Sequence, residues 1–76
     1  MRKNNRLGEL REAINLTQKE LAELVGVTEN YIYMLERGLR TPSMKIAKVI
    51  SELLKKPIEY IFFAHAVNGA LTKDSA

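Results

Sequence analysis

Apolar residues along this chain recur at helical spacing in short segments separated by turn and capping residues. Leu7, Leu10 and Ile14 stand at i, i+3 and i+7 and predict a first amphipathic helix that ends at Asn15 and Leu16. Over residues 17–37, Leu21, Val25, Val27, Ile32 and Leu35 are placed to face one small core, with Ala22 small where two helices must cross closely. Thr17 caps a second helix of about residues 18–25, and Glu20 three positions on completes a capping-box pattern, with Leu16 placed to staple the start. Gly26 falls just past that helix, where a left-handed backbone is needed and glycine has no Cβ to oppose it. Thr28 then caps a third helix over residues 29–37, which Gly38 ends by the same logic.

Thr41 is held extended by Pro42, and Ser43 caps a fourth helix with apolar positions Ile46, Val49, Ile50 and Leu53. Lys55 and Lys56 suit the negative end of its dipole. Pro57 is well placed at the first turn of a short fifth helix over residues 58–62. In the final stretch, AHAVNGALTKDSA, Asn68-Gly69 is a hairpin-turn signal, while residues 64–67 can equally extend the fifth helix. An irregular or short extended tail is expected, and residues 1–5 read as a mobile polar arm. The expectation is one all-α domain of five helices over residues 1–76, with its core in residues 6–63.

Residues 17–37 form a helix-turn-helix pattern, in which the second helix lies in the DNA major groove. With Arg11 before it and Glu36-Arg37-Gly38 after it, the stretch resembles the Cro/lambda-repressor-like (Xre) helix-turn-helix family. The wording LTQKELAELVGV, then LERG, then TPS, carries that resemblance across residues 7–62. It implies a compact lambda-repressor-like domain and a dimeric, sequence-specific transcriptional regulator, a repressor of phage or mobile-element type. It further implies that Gln18 bonds the DNA backbone and braces the start of the recognition helix. Arg11 and Glu36 are expected to form a structural ion pair joining the first helix to the end of the third. Ser43 departs from several family members, offering no arginine to a minor groove, so Arg40 or the N-terminal arm would have to serve there.

On the outer side of the third helix, Glu29, Asn30, Tyr33, Met34 and Arg37 share one face. Asn30 suits adenine, whose N6 and N7 its amide can bond bidentately, and Glu29 can accept from a cytosine amino group. Glu29 has a plainer role too, as an acid at a helix N-terminus, worth about 0.3–1 kcal/mol. Tyr33 can donate to a phosphate and Met34 can touch a thymine methyl, whereas Tyr31 is expected to pack on the second helix. Gln18, Lys19, Thr28, Arg37, Arg40, Ser43 and Lys45 are the candidates for the DNA backbone, by charge or by position at helix starts.

Charge strengthens this reading through its distribution more than its sum of +3. Glu9, Glu12, Glu20 and Glu23 lie in the first two helices, whereas residues 37–50 carry Arg37, Arg40, Lys45 and Lys48 with no acid. Arg2, Lys3 and Arg6 add to the N-terminus. Such asymmetry favours a polyanion on one side, although solvation of the same side chains needs no partner.

Other chemistry is sparse. His65 is the single histidine and cysteine is absent, so no catalytic triad, metal site or disulfide framework can be assembled, and no cofactor is expected. The basic start MRKNNR leads into GELRE without an apolar run, so no signal peptide is predicted. The longest apolar run, residues 61–67, is broken by His65 and is too short to span a bilayer, which points to a cytoplasmic protein.

Tyr60, Phe62, Phe63, Val67 and Leu71 form the expected dimerisation surface. Adjacent Phe62 and Phe63 cannot both face inward on one short helix, so one is left for a partner. Alternatively the tail folds back over its own core. A protein-interaction module, such as an antitoxin or adaptor, is the competing function, and it would use this same apolar surface.

Overall fold

Capping side chains fix the starts of three helices. In the computed structural model, which describes residues 5–63, five helices follow one another: α1 (Leu7–Ala13), α2 (Gln18–Val25), α3 (Glu29–Glu36), α4 (Met44–Leu54) and α5 (Ile58–Phe62). No strand occurs among the described residues. Thr17 Oγ1 accepts from the Glu20 amide at 3.0 Å and Glu20 Oε1 accepts from the Thr17 amide at 2.9 Å, closing the capping box of α2. Thr28 Oγ1 accepts from the Tyr31 amide at 3.0 Å and Ser43 Oγ from the Ile46 amide at 3.2 Å. Each bond satisfies a first-turn donor that the helix itself leaves free.

The turn between α2 and α3 is made by Gly26 at φ +90°, its amide donating to the Ala22 carbonyl at 2.8 Å. Open space surrounds the position a Cβ would take there. Backbone conformation, not crowding, therefore selects glycine. Two other left-handed positions are not glycine: Asn15 at φ +62° after α1, and Lys55 at φ +58°, which caps α4. Lys55 thus acts through its backbone at a place where its charge was the expected contribution.

α2 packs chiefly on α3, and α4 packs on α5. Leu7, Leu21, Ile32, Leu35, Ile50 and Ile61 are fully buried and form the centre of the core. Ala22 and Ala47 are buried beside them. The residue before α1 is tied to α5 by the Arg6 amide, which donates to the Ile61 carbonyl at 2.8 Å.

Several positions depart from the sequence expectation. Ile14 is 47% exposed, because α1 ends at Ala13 and its inward face continues from Leu7 to Arg11, one turn on. The buried stripe of α4 is Ala47, Ile50 and Leu54, while Ile46, Val49 and Leu53 flank it half-buried. Pro57 precedes α5 as its N-cap instead of lying in its first turn. Asn5, expected in a mobile arm, is held: its Nδ2 donates to the Leu35 carbonyl at 2.8 Å and its Oδ1 accepts from the Leu7 amide at 3.0 Å. The expectations for residues 1–4, and for the tail with its Asn68-Gly69 turn, lie outside the described residues.

Candidate nucleic-acid interface

α3 is amphipathic, with a buried side and an exposed one. Ile32 and Leu35 are fully buried, which leaves Glu29, Asn30 and Tyr33 exposed on the opposite face. Gln18, from the first turn of α2, joins these three in lining an open depression of about 400 Å³. Met34 is half-buried, so only part of its side chain is free to touch a ligand. Tyr31 is half-buried against the core, with the Arg40 guanidinium 5.5 Å from its ring centroid.

One cation lies directly on this face. Arg37 Nη1 donates to Tyr33 Oη at 3.0 Å, and Lys19, Arg37, Arg40 and Lys45 are all exposed. Thr28 and Ser43 use an oxygen lone pair to cap their helices, so each hydroxyl keeps its own proton as a donor. The Tyr33–Arg37 contact has a sequence signal, the i, i+4 spacing. The Arg40–Tyr31 contact has none, because it crosses from a loop to a helix.

Beneath this face lies the ion pair that the family resemblance implied. Arg11 Nε donates to Glu36 Oε2 at 2.6 Å, and both residues are buried. A second guanidinium nitrogen reaches Glu36 Oε1 at 3.3 Å, and Nη1 donates to the Leu16 carbonyl at 2.6 Å. The hydrogen bond to Glu36 holds Arg11 above the ordinary arginine range, against the lowering effect of burial, with the charges of Glu36 and Glu12 adding to it. Gln18 Nε2 donates to Glu36 Oε1 at 3.0 Å. The hydrogen bond of Gln18 thus goes to the last residue of α3, where a brace to its first turn was expected.

On α5, Phe62 is buried in the core of its own chain at 6% exposure, which removes it from the expected dimerisation surface. Ile61 and Phe62 face inward on this five-residue helix, and Tyr60 and Phe63 remain 40% and 42% exposed. Tyr60 is flanked by two cations that sequence reasoning missed, with Arg6 at 4.7 Å and Lys56 at 5.5 Å from its ring centroid. Val67 and Leu71 lie outside the described residues. Among the described residues no group of three acidic, histidine or cysteine side chains is placed to hold a metal, and no helix is long and apolar enough to cross a membrane.

Two short helices joined at a left-handed glycine, with a polar outer face on the second, define a helix-turn-helix domain. The helix-turn-helix family profile matches residues 7–61, and the chain belongs to this Xre/Cro-like family of non-enzymatic, DNA-binding transcriptional regulators. It is 44% identical over 57 residues to an uncharacterised HTH-type transcriptional regulator of Archaeoglobus fulgidus, covering 75% of this chain and 80% of the relative. A regulator of the same description from Methanothermobacter thermautotrophicus is 47% identical over 55 residues, covering 71% and 80% of the two chains. Another, from Methanocaldococcus jannaschii, is 40% identical over 58 residues, covering 76% and 88%.

Proposed function

We propose that this protein is a sequence-specific double-stranded DNA reader that acts as a homodimeric repressor on an inverted-repeat operator. The observation that carries the reading is the α3 face: Glu29, Asn30 and Tyr33 stand exposed on a helix anchored by fully buried Ile32 and Leu35. A rigid helix with its polar face outward is what base-edge recognition in a major groove requires. In this reading Asn30 bonds an adenine, Glu29 accepts from a cytosine amino group, and Tyr33 and the exposed part of Met34 extend the contact by one turn. Gln18, Lys19, Thr28, Arg37, Arg40, Ser43 and Lys45 hold the flanking phosphates. The relatives named as transcriptional regulators support the same function. The protein works in the cytoplasm without a cofactor.

Dimerisation rests on Tyr60 and Phe63, exposed aromatics of α5 and its C-cap. Two copies so joined would place their recognition helices on half-sites about one helical turn, or about 34–36 Å, apart. The same exposed aromatics favour a second reading, in which the domain docks on a protein as an antitoxin or adaptor does. Selection of bound duplexes from a random library at near-physiological salt tests the first reading. Enrichment of an inverted repeat with that spacing is expected. Binding without enrichment, lost at moderate salt, would reject sequence-specific reading and turn attention to a protein partner.

A further inference from the structure

We infer that Glu36, held by Arg11, is a positioning residue for DNA binding, setting the side-chain amide of Gln18 before DNA arrives. The inference rests on the reading above that Gln18 meets the DNA backbone. A carboxylate can only accept, so Glu36 Oε1, 3.0 Å from Nε2, admits the NH2 end of the amide and excludes the carbonyl end. One N–H of Gln18 is thereby directed into the protein. The second N–H and the carbonyl oxygen are left for the depression shared with Glu29, Asn30 and Tyr33. A phosphate is likewise acceptor-only, so of these two groups only the second N–H can meet it.

Arg11 makes this arrangement rigid. Its Nε fixes the other carboxylate oxygen, Oε2, at 2.6 Å, and its Nη1 fixes the Leu16 carbonyl just before the α2 cap at 2.6 Å. The acceptor for Gln18 and the backbone from which Gln18 projects are therefore held by one guanidinium. Glutamine is among the side chains with most rotamer freedom to lose on ordering. An amide already set in the free protein loses less of it on binding, which is how preorganisation raises affinity. The pair Arg11–Glu36 thus serves the DNA contact as well as the scaffold.

The test is a double-mutant cycle on DNA affinity, with a selected duplex, combining Gln18→Ala with Glu36→Gln. Because a lone buried Arg11 charge can unfold the variant, the cycle is repeated with Arg11→Met/Glu36→Leu, which removes both charges while keeping apolar bulk. Gln18→Ala is expected to weaken binding about tenfold, the size of one hydrogen bond to a charged group. Its salt slope should not change, since no cation is lost. Either change at Glu36 should weaken binding by several-fold when Gln18 is present and have no further effect in the Gln18→Ala background. A Glu36 effect of equal size in both backgrounds would overturn the positioning role while leaving the Gln18 contact intact. A neutral Gln18→Ala would instead overturn that contact and the inference with it. In the free protein, NMR should show a Gln18 side-chain amide proton slowed in exchange, and fast exchange at both protons would also overturn the proposal.

Discussion

Arg37 donates to the Tyr33 hydroxyl oxygen at 3.0 Å, and its guanidinium carbon lies 5.6 Å from the centroid of the same ring. The two side chains stand one helical turn apart on the exposed face of α3. Because Arg37 occupies a lone pair of the hydroxyl, the phenolic proton remains free to be donated, and the nearby charge makes it a stronger donor. Tyr33→Phe is expected to reduce DNA affinity by about 1.5 kcal/mol, with a change in folding stability within about 0.5 kcal/mol, as for other exposed positions. Titration of a selected duplex, alongside urea denaturation, measures both. Equal affinity of the two proteins would remove the hydroxyl from the contact.

Asn30 and Arg40 should fail in different ways when truncated. Asn30→Ala is expected to lose about 1–3 kcal/mol on the preferred site and to relax preference at one base pair. Arg40→Ala should weaken all sequences alike and lower the slope of log K against log salt by about 1. Arg40 also lies over Tyr31, so part of its loss comes from releasing that ring. Binding to specific and random duplexes at several salt concentrations separates the two cases. Equal losses for Asn30→Ala on both duplexes would reject it as a base reader.

The features legible in the sequence are those set by local chemistry. Thr17 with Glu20, Thr28 and Ser43 cap their helices through bonds only three residues long, and Gly26 is required by one backbone angle. The stripe of α4 was not legible in detail because apolar residues nearly encircle that helix. Spacing alone could not favour Ala47 and Leu54 over Ile46 and Leu53. The Gln18–Glu36 bond was hidden for another reason, since it joins residues 18 positions apart whose meeting depends on how α2 packs across α3. Asn5 on the Leu35 carbonyl and Arg6 on Tyr60 are likewise contacts of the assembled fold, and nothing in the polar run at the chain start announces them.

Gly26→Ala isolates the cost of one backbone conformation. No heavy atom lies within 4 Å of the added Cβ, so the expected loss is the left-handed penalty of about 1–2 kcal/mol for an L residue. In urea the midpoint should fall while the slope m is unchanged. A loss well above this would show that the α2–α3 turn has shifted, and DNA affinity would fall with it because α3 would be displaced.

Phe63 is the cleanest probe of self-association. Ile61 and Phe62 already fill the inward side of α5, so the ring of Phe63 is not needed by its own core. Tyr60 is a poorer choice, since Arg6 and Lys56 both lie over its ring and substitution there would release both cations as well. In a two-fold dimer each copy presents the same residue, so one substitution is felt twice. With about 2 kcal/mol lost per buried interface aromatic, Phe63→Glu should weaken the dimer by about 4 kcal/mol, roughly a thousandfold. The monomer should remain folded, as an exposed position is being changed. Sedimentation equilibrium reads the mass directly, and the variant is expected at half the wild-type value. An unchanged mass would remove Phe63 from the interface. A wild-type protein already monomeric at micromolar concentration would overturn the pre-formed dimer and leave pairing to occur on the DNA.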